Sequence, residues 1–495
     1  MPERPCANLS RKVPALWLLP GSLLAAVVFC LVFSVTTSPF YPWEGLDQAV
    51  IKTIGKGWAE GHLPYVALWD HKGPLFFLIN AVGYLLTSDR IGIFMMETLF
   101  ISAFIYFVFR TGELAGTKSR ALCITGITLL WLGYTYDGGD RVEIWILPFL
   151  MAAFYLTAQW LRASPRPSGH PPGYAFLHGV ILSVGLLTRL TDALPSCGIM
   201  LGAGILLIAR KEWKNLLKNI LAYILGFALP LIPFIVYFAA HHALGEAVYG
   251  TITHNILYAA VETGIQPAAR FYSTVLPGLG CFFLSGIATL VLIIKKEQRP
   301  AAFVWLLSSL GLAFWLIRSL SFIHYFILCV PFIPMTFLML QSVTKRRGRA
   351  LRLAATAALL SVPLYKVSLF FVDDMLFYRR YDSTILAETL SSIVPQEERN
   401  SFLAYHWCPD IYLKMDCTPG CRYFFCLDWI SAFSADTRNL LVDALKQDEV
   451  KWILAQEIAE PDLRQVIHSA YRPTHRLERK LGAETEHYTL WRLQK

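Results

Sequence analysis

Charged residues are scarce in this chain: Asp, Glu, Lys and Arg make up 16% of its 495 residues, whereas hydrophobic residues make up 55%. A soluble domain of this length needs more charge on its surface, so the composition argues against a soluble globular protein. The chain also has no internal repeat, low-complexity tract, glycine-rich phosphate loop or Gly-x-Ser-x-Gly motif. It therefore offers no signature of a repeat protein, a P-loop enzyme or a nucleophile-elbow hydrolase.

Long apolar segments are what the sequence has instead. Most approach the roughly 20 residues that a membrane-spanning helix needs. Arg4, Arg11 and Lys12 precede the first segment as in a signal peptide, but the segment is longer than a signal core and predicts an uncleaved span. The sequence thus predicts a polytopic α-helical membrane protein with about eleven transmembrane helices. They lie near residues 13–35, 91–109, 121–135, 144–161, 174–188, 193–209, 219–239, 273–294, 301–317, 324–342 and 351–372.

Basic residues set the predicted orientation. They follow the second, fourth, sixth, eighth and tenth segments, and they also precede the first. The positive-inside rule then places the N-terminus in the cytoplasm of a cell with a plasma (inner) membrane. The net charge of +9 is explained by these loops and does not call for a nucleic-acid partner. The outer loops are 37–90, 136–143, 189–192, 240–272 and 318–323.

The first outer loop, residues 37–90, contains two further predicted helices. Residues 74–86 form an apolar run too short to span, which suits a juxtamembrane helix on the outer face. Residues 46–59 show apolar side chains every four positions and predict an amphipathic helix lying on the outer leaflet. Counting 74–86 as a span would invert every later loop and break the charge pattern.

The C-terminal region differs in composition from the rest of the chain. Residues 373–495 alternate short apolar runs with polar ones, which predicts a small α/β domain outside the cytoplasm, separate from a transmembrane domain of residues 1–372. Segments around 400–407, 421–430 and 450–457 predict strands, and those around 382–394, 436–448 and 460–471 predict helices. Four cysteines lie close together here: Cys408, Cys417, Cys421 and Cys426. They predict one or two disulfides, with a zinc site as the alternative, although no Cys-x-x-Cys pair is present.

Ionisable residues recur in the outer loops. An acid at a span end is costly unless it is paired or hydrated, which makes Glu143 a site candidate, although it also suits a helix N-terminus. A carboxylate general base, with cations on a leaving phosphate, is what glycosyl transfer from a lipid-phosphate sugar requires. The candidates are Glu44, Asp47, His71, Lys72, Asp140, Glu143, Arg189, His324 and Tyr325.

Three motifs resemble the GT-C superfamily of membrane glycosyltransferases, in the bacterial branch related to protein O-mannosyltransferases and the aminoarabinose transferase of lipid A. The first is "GLDQAVIKTIGKGWAEGHLPY" followed by "DHKGPLFF", the second is "GGDRVE", and the third is "RSLSFIHYFILCVP". Together with the spans they cover about the first 345 residues. The C-terminal region also looks like the exported tail of such proteins.

The resemblance implies a polyprenyl-phosphate-linked sugar donor, a site facing outside and inversion at the anomeric carbon. Asp47 would be the catalytic base, and Asp140 or Glu143 the second acid. Lys72, with His71 beside it, would contact the donor phosphate. Arg189 would supply a further cation. Three more residues would lie near the substrate: Glu44, His324 and Tyr325.

Two departures from the family pattern affect these roles. Gln48 stands where the family often has a second acid, which gives a metal less support and leaves Asp47 alone. No cofactor is expected. Asp140 stands where Asn is usual, so the second acid stays open between Asp140 and Glu143. The acceptor is a lipid, a glycan or a protein.

Three alternatives compete with glycosyl transfer. A transporter or flippase for polyprenyl-linked glycans would use charges in mid-span, whereas here they gather in outer loops. An O-antigen ligase or polymerase also works outside on polyprenyl lipids but should lack the acid followed by "DHKGP". A non-enzymatic membrane anchor for the C-terminal domain is the third.

Overall fold

The architecture comes from a computed structural model of the chain. It describes residues 13–162, 169–261, 276–294, 299–318, 322–341, 346–375, 383–432, 435–446, 449–481 and 484–494. The first predicted basic segment, with Arg4, Arg11 and Lys12, lies outside these ranges.

Helices dominate the first three quarters of the chain. Two short helical turns, Leu190–Ala193 and Ile323–Cys329, lie between the longer helices. The main helices of this part are α1 (Ala15–Phe33), α2 (Asp47–Ala59), α3 (Pro74–Thr87), α4 (Arg90–Leu114), α5 (Lys118–Thr135), α6 (Val142–Arg162), α7 (Pro172–Leu187), α8 (Leu194–Ala209), α9 (Trp213–Ala240), α10 (Leu244–Val248), α11 (His254–Val261), α12 (Gly280–Ile294), α13 (Arg299–Arg318), α14 (Phe332–Gln341) and α15 (Arg346–Leu369).

Eight helical segments of the described chain are long and apolar enough to cross a membrane. Two more, α3 and α7, are apolar but shorter. Each of the eleven predicted spans coincides with a helix over the residues that the structure describes, which confirms a polytopic helical protein. The count of eleven and the orientation stay predictions.

Helix α2 forms where the amphipathic pattern predicts it, but both of its sides are covered. Val50, Ile51 and Ile54 are buried in an apolar cluster that also contains Phe76 and Phe77 of α3. The same cluster continues into the C-terminal region. Because α2 has apolar neighbours of its own, it packs inside the protein rather than lying on the leaflet surface.

The C-terminal region forms a four-stranded sheet in the order β1-β2-β4-β3. β1 and β2 are parallel, and β4 pairs antiparallel with both β2 and β3. This confirms a small α/β fold, although the domain boundary near residue 372 stays a prediction because the apolar core runs across it. The elements are α16 (Thr384–Ile393), β1 (Phe402–Ala404), α17 (Asp410–Lys414), α18 (Leu427–Ser431), α19 (Ala435–Lys446), β2 (Trp452–Ala455), α20 (Pro461–Ala470), β3 (Tyr471–Leu481) and β4 (Glu484–Leu493).

Two sequence predictions for this region are wrong. Residues 421–430 do not form a strand: Phe424 and Phe425 are both buried, Cys426 has φ +48°, and α18 begins at the next residue. The positive φ of Cys426 interrupts the extended backbone that a strand needs, so this run packs as a turn. The four clustered cysteines carry free thiols, and Cys408, Cys417 and Cys421 are buried as small apolar core residues.

Direct bonds join the sheet region to the first outer loop. The Trp69 amide donates to the Arg422 carbonyl at 3.0 Å. Lys56 forms an ion pair with Asp416 at 3.0 Å, and the Thr418 hydroxyl donates to Glu60 at 3.1 Å. The C-terminal region therefore sits at the same end of the helices as the loop that contains Asp47.

Glu97, on α4, organises that end from below. Its fully buried carboxylate accepts hydrogen bonds from Ser34 Oγ at 2.6 Å, Thr37 Oγ1 at 2.7 Å and Tyr136 Oη at 2.7 Å. It also accepts the backbone N–H of Asp140 at 2.9 Å. A buried carboxylate is tolerated only when its oxygens are satisfied, so the chain after α1 and the chain after α5 are tied to one side chain.

We expect Glu97→Ala to lower the free energy of unfolding by about 3 kcal/mol or more, because each buried donor left without an acceptor costs about 1–3 kcal/mol. Thermal and denaturant unfolding of the purified protein in detergent measures this loss. Leu99→Ala on the same helix is the control, since Leu99 is exposed. Equal losses in the two variants would contradict the assigned role of Glu97.

Candidate active site

Asp47 is the first residue of α2, and its side chain is 39% exposed. One carboxylate oxygen, Oδ2, accepts a hydrogen bond from Arg141 Nη1 at 2.6 Å. An acid at this position is favoured by the unpaired amides of the helix N-terminus. The carboxylate is therefore held on one side and open on the other.

Arg141 links Asp47 to two more loops. Its Nη2 donates to Asp137 Oδ2 at 2.7 Å, and the same oxygen lies 2.7 Å from His324 Nδ1. Three segments far apart in sequence, after α1, after α5 and before α14, thus meet in one charged cluster. We call Asp47, Arg141, Asp137 and His324 the open cluster, because its acids are both partly exposed.

The charges around Asp47 keep it ionised. Its partly enclosed position by itself raises the pKa, but Arg141, Lys72 and His324 outweigh that effect and bring the pKa below the ordinary value of 3.8. The pKa of Asp137 is lowered for the same reasons, with Arg141 and His324 opposing burial. At neutral pH the site therefore presents a carboxylate base rather than a carboxylic acid.

Lys72 reaches this region from the turn between residues 70 and 74. Asp70 is fully buried, and its oxygens lie 3.0 Å from Lys72 Nζ and 2.9 Å from His71 Nδ1. Burial acts to raise the pKa of Asp70, but Lys72 and His71 hold it well below its usual range. The Tyr65 hydroxyl donates to the Lys72 carbonyl at 2.7 Å. Asp70 thus anchors the turn and leaves Lys72 and His71 partly exposed above it.

Gly73 brings this turn against the loop that follows α7. Its N–H donates to the Thr188 carbonyl at 2.9 Å. A Cβ at position 73 would lie 2.2 Å from the Leu187 carbonyl oxygen, so only glycine allows this approach. The turn with Lys72 is in this way fixed beside Arg189.

Arg189 is the centre of a second charged group, which we call the closed cluster. It pairs with Glu143 and, at 2.7 Å, with Asp192, and both acids are fully buried. Its guanidinium carbon also lies 4.4 Å from the centre of the Tyr325 ring. Glu143 and Arg189 therefore form an ion pair with each other. Together with the ring of Tyr325, this pair joins α6, the α7–α8 loop and the segment before α14.

Two predicted site residues lie apart from Asp47. Glu44 is buried in ion pairs with Lys52 at 2.9 Å and Arg90 at 3.2 Å. Asp140 is fully buried, where its carboxylate accepts hydrogen bonds from Trp145 Nε1 at 3.3 Å and Asn80 Nδ2 at 3.4 Å. Burial raises the pKa of Asp140 to about 7. Both acids lie inside the protein rather than at the open cluster.

The turn that presents Asp137 has an unusual backbone. Residues 137–140 all have positive φ, at 50°, 88°, 83° and 46°. Gly139 also packs closely, because a Cβ there would lie 2.1 Å from Ser34 Oγ. Such a conformation favours glycine, and it persists only when neighbouring groups hold it in place.

Gln48 supplies one of those neighbouring groups. Its side chain is 1% exposed, and Nε2 donates to the carbonyls of Gly139 at 3.0 Å and Asp137 at 3.4 Å. The residue after the proposed base is thus bound to the turn that carries the partner of Arg141. The Gln48 amide can donate hydrogen bonds to both carbonyl oxygens. The carboxylate of a second acid could not, since it would face the same two oxygens without a proton to donate.

Comparison with known proteins places the chain in a family. Residues 23–377 match the family model described as "Putative competence-induced protein Ccs4 N-terminal domain". The chain belongs to this family. No curated protein sequence matches the chain.

Solved structures show which fold this Ccs4-family chain has. ArnT from Cupriavidus metallidurans bound to undecaprenyl phosphate is similar at a TM-score of 0.59 and 12% identity, over 97% of this chain and 98% of that one. The apo form of the same ArnT is similar at a TM-score of 0.58 and 12% identity, over 95% of this chain and 98% of that one. An Archaeoglobus fulgidus oligosaccharyltransferase has a TM-score of 0.49 and 10% identity, over 96% of this chain and 74% of that one. The likeness to ArnT shows a GT-C fold and confirms the resemblance expected from the sequence at that level.

Several groups at the site were seen in the sequence motifs without being assigned a role. Arg141 belongs to the second motif, Asp137 immediately precedes that motif, and Asp70 opens "DHKGP". Arg141 binds Asp47 and Asp137 binds His324, both far away along the chain, so only the folded chain shows these contacts. Among the residues that the structure describes, no group of three or more His, Cys, Asp or Glu side chains is arranged to hold a metal ion. Independence from a metal stays a prediction.

Substitutions at Gln48 test its positioning role in this Ccs4-family chain. We expect Gln48→Met to lower the free energy of unfolding by about 1–2 kcal/mol, since two buried carbonyls lose their donor. Gln48→Glu should lower it further, because a carboxylate would face the same carbonyls. Denaturant unfolding in detergent gives the order. Gln159→Met, which removes one hydrogen bond to Tyr155 on α6, is the control. Greater stability of Gln48→Glu than of Gln48→Met would contradict this role.

Proposed function

We propose that the chain is a membrane glycosyltransferase that moves a sugar from a polyprenyl-phosphate-linked donor to a hydroxyl group of an acceptor. The observation that carries the proposal is the open cluster: Asp47 is ionised and partly exposed, with cations close to it. General-base catalysis needs such a carboxylate, and departure of a phosphate needs such cations. The GT-C fold supports the same activity.

The proposed donor class rests on two observations. The ArnT structure with nearly the same chain length contains undecaprenyl phosphate. In this chain Lys72 is a partly exposed ammonium group with three donor positions, of which the hydrogen bond to Asp70 uses one. A phosphate placed beside Lys72 would therefore find a cation without displacing that ion pair. His71, whose ring is partly exposed on the same turn, is the second proposed contact.

The proposed step is a single inverting displacement. The Asp47 carboxylate takes the proton of the acceptor hydroxyl while the oxygen attacks the anomeric carbon. The bond between that carbon and the donor phosphate oxygen breaks, and polyprenyl phosphate leaves with the electron pair. Lys72 stabilises the added charge on the phosphate. The new glycosidic bond lies on the face opposite to the departed phosphate.

The remaining candidates take supporting positions in this proposal. Arg141 already binds two carboxylates and holds Asp47 in place. Arg189 and Glu143 neutralise each other and hold Tyr325 at the edge of the site, while His324 steadies Asp137. Asp140 and Glu44 act from the interior on the shape of the loops. Of the two candidates for the second acid, Glu143 is the one joined to the Lys72 turn, since its partner Arg189 follows Thr188, whose carbonyl accepts from Gly73 N–H.

The site's location is part of the same proposal. The open cluster and the C-terminal region share one end of the helices, which the basic-loop pattern assigns to the outside of the inner membrane. An acceptor lipid, glycan or protein would then approach from outside. A flippase would need its ionisable groups along a path through the spans. The described groups that argue for chemistry here lie at helix ends instead.

Asp47→Asn tests the proposed base directly. We expect it to reduce sugar transfer by about 100- to 10,000-fold, because a positioned general base contributes a factor of that size. Transfer is measured with purified protein in detergent, a polyprenyl-phosphate sugar and an extract of envelope acceptors. Asp462→Asn is the control, since Asp462 is exposed on α20. Undiminished transfer or donor hydrolysis in Asp47→Asn would remove Asp47 as the base.

Arg141→Gln tests the electrostatic setting of Asp47. Removal of this cation raises the pKa of Asp47, so the base is protonated at a higher pH. The acidic limb of the pH–rate profile should therefore move to higher pH in the variant. Lys72 and His324 remain as the other charges that act on Asp47. An acidic limb at the same pH as in the wild type would show that Asp47 does not govern it.

A further inference from the structure

A cavity far from the open cluster lies between α8 and α9. Its volume is about 330 Å³, whereas a single water needs only about 10–15 Å³. Its wall includes His170, just before α7, and Leu216 and Ile224 in the first half of α9. Arg189 follows the other end of α7, about 24 Å along a helix of this length. The cavity is therefore separate from the proposed active site.

Most polar groups of the wall are already used, the exception being His170 Nε2, which is buried without a hydrogen-bond partner. His170 Nδ1 lies 2.6 Å from Asn219 Oδ1, and Asn219 Nδ2 donates to the His170 carbonyl at 2.9 Å. The Cys197 thiol and the Tyr223 hydroxyl are paired with each other. The rest of the wall is hydrocarbon or backbone of small residues. A polar ligand would find few groups to bind here, whereas an apolar chain would lose no hydrogen bonds.

The cavity opens toward the side where the membrane would be. Leu201, Ile220 and Ile224 line it and are also exposed on the outside of α8 and α9. Both helices belong to segments apolar enough to span a membrane. Gly204 leaves the space open, since no atom lies within 4 Å of where its Cβ would be. A chain can therefore enter sideways from the bilayer.

Positive charge surrounds this end of α8 and α9. Lys211, Lys214 and Lys218 are exposed, and Glu212 is the acid among them. Trp213 is 57% exposed at the start of α9, where an aromatic ring suits the headgroup region. Each basic residue near a bilayer surface attracts anionic headgroups.

We infer that this cavity binds one acyl chain of an anionic phospholipid, whose headgroup lies among Lys211, Lys214 and Lys218. The apolar wall selects a hydrocarbon chain, the lateral opening admits it from the membrane, and the basic segment selects the headgroup. The bound lipid would fill the space between α8 and α9 and steady this helix pair. This site is independent of the proposed glycosyl transfer.

Gly204→Leu tests the inference by placing a side chain in the cavity at a position where the added Cβ meets no atom within 4 Å. Protein reconstituted with equal amounts of dioleoyl phosphatidylglycerol and dioleoyl phosphatidylcholine, then extracted and studied by native mass spectrometry, should retain one phosphatidylglycerol. We expect Gly204→Leu to reduce that occupancy at least fivefold. Gly126→Leu on α5 is the matched control, because Gly126 also has no atom within 4 Å of its Cβ position. It should retain the lipid.

A second variant separates the chain from the headgroup. With Lys211, Lys214 and Lys218 all changed to Gln, the preference for phosphatidylglycerol over phosphatidylcholine should fall while one lipid is still retained. Equal retention in wild type and Gly204→Leu would overturn the inference, as would equal loss in Gly126→Leu. Displacement of the retained lipid by added undecaprenyl phosphate would also overturn it, since that would assign the cavity to a polyprenyl chain.

Discussion

The site depends on the way one buried carboxylate is satisfied. Glu97 lies inside the helix bundle, where an ionised or polar group without partners is costly, and its four donors come from the ends of α1 and α5 and from the turn after α5. None of these donors alone would compensate for burial. The helix ends and the turn must therefore be in place together, so the position of the turn is coupled to the packing of the helices below it.

Two charged clusters rest on that frame, and they differ in one property. In the open cluster the acids Asp47 and Asp137 keep contact with solvent, whereas in the closed cluster the acids around Arg189 are fully buried. A group that exchanges a proton with a substrate must be reachable, so chemistry belongs to the open cluster. A fully buried ion group is expensive to disturb and suits a fixed joint between helices. The turn with Gly73 and Lys72 connects the two clusters. The N–H of Gly73 bonds to the carbonyl of Thr188, which precedes Arg189, and the charge of Lys72 acts on Asp47.

Much of this arrangement could be predicted from the sequence, because the helices of a membrane protein can be recognised from the length of their apolar segments. The three motifs that suggested a GT-C protein do meet at one end of the structure. Sequence alone could not show which residues far apart in the chain contact each other. Arg141 was visible next to Asp140, but its two acids come from other positions, and Gln48 was noted only for the acid it replaces. The β3–β4 hairpin was missed because its strands carry many charged residues, and residues 421–430 were assigned to a strand because an aromatic-rich apolar run is typical of both a strand and a packed turn.

The segment of residues 69–74 has its backbone bonded to several separate parts of the chain. Trp69 N–H bonds to the C-terminal region, Gly73 N–H to the loop after α7, and the His71 carbonyl accepts from Asn255 at 2.7 Å. In engineering terms, the C-terminal region is not an exchangeable module. A chimera that takes this region from a relative would also have to take the surface of the first outer loop that contacts it, or the turn would lose part of its support. Sequence divergence in one part should therefore be accompanied by compensating change in the other.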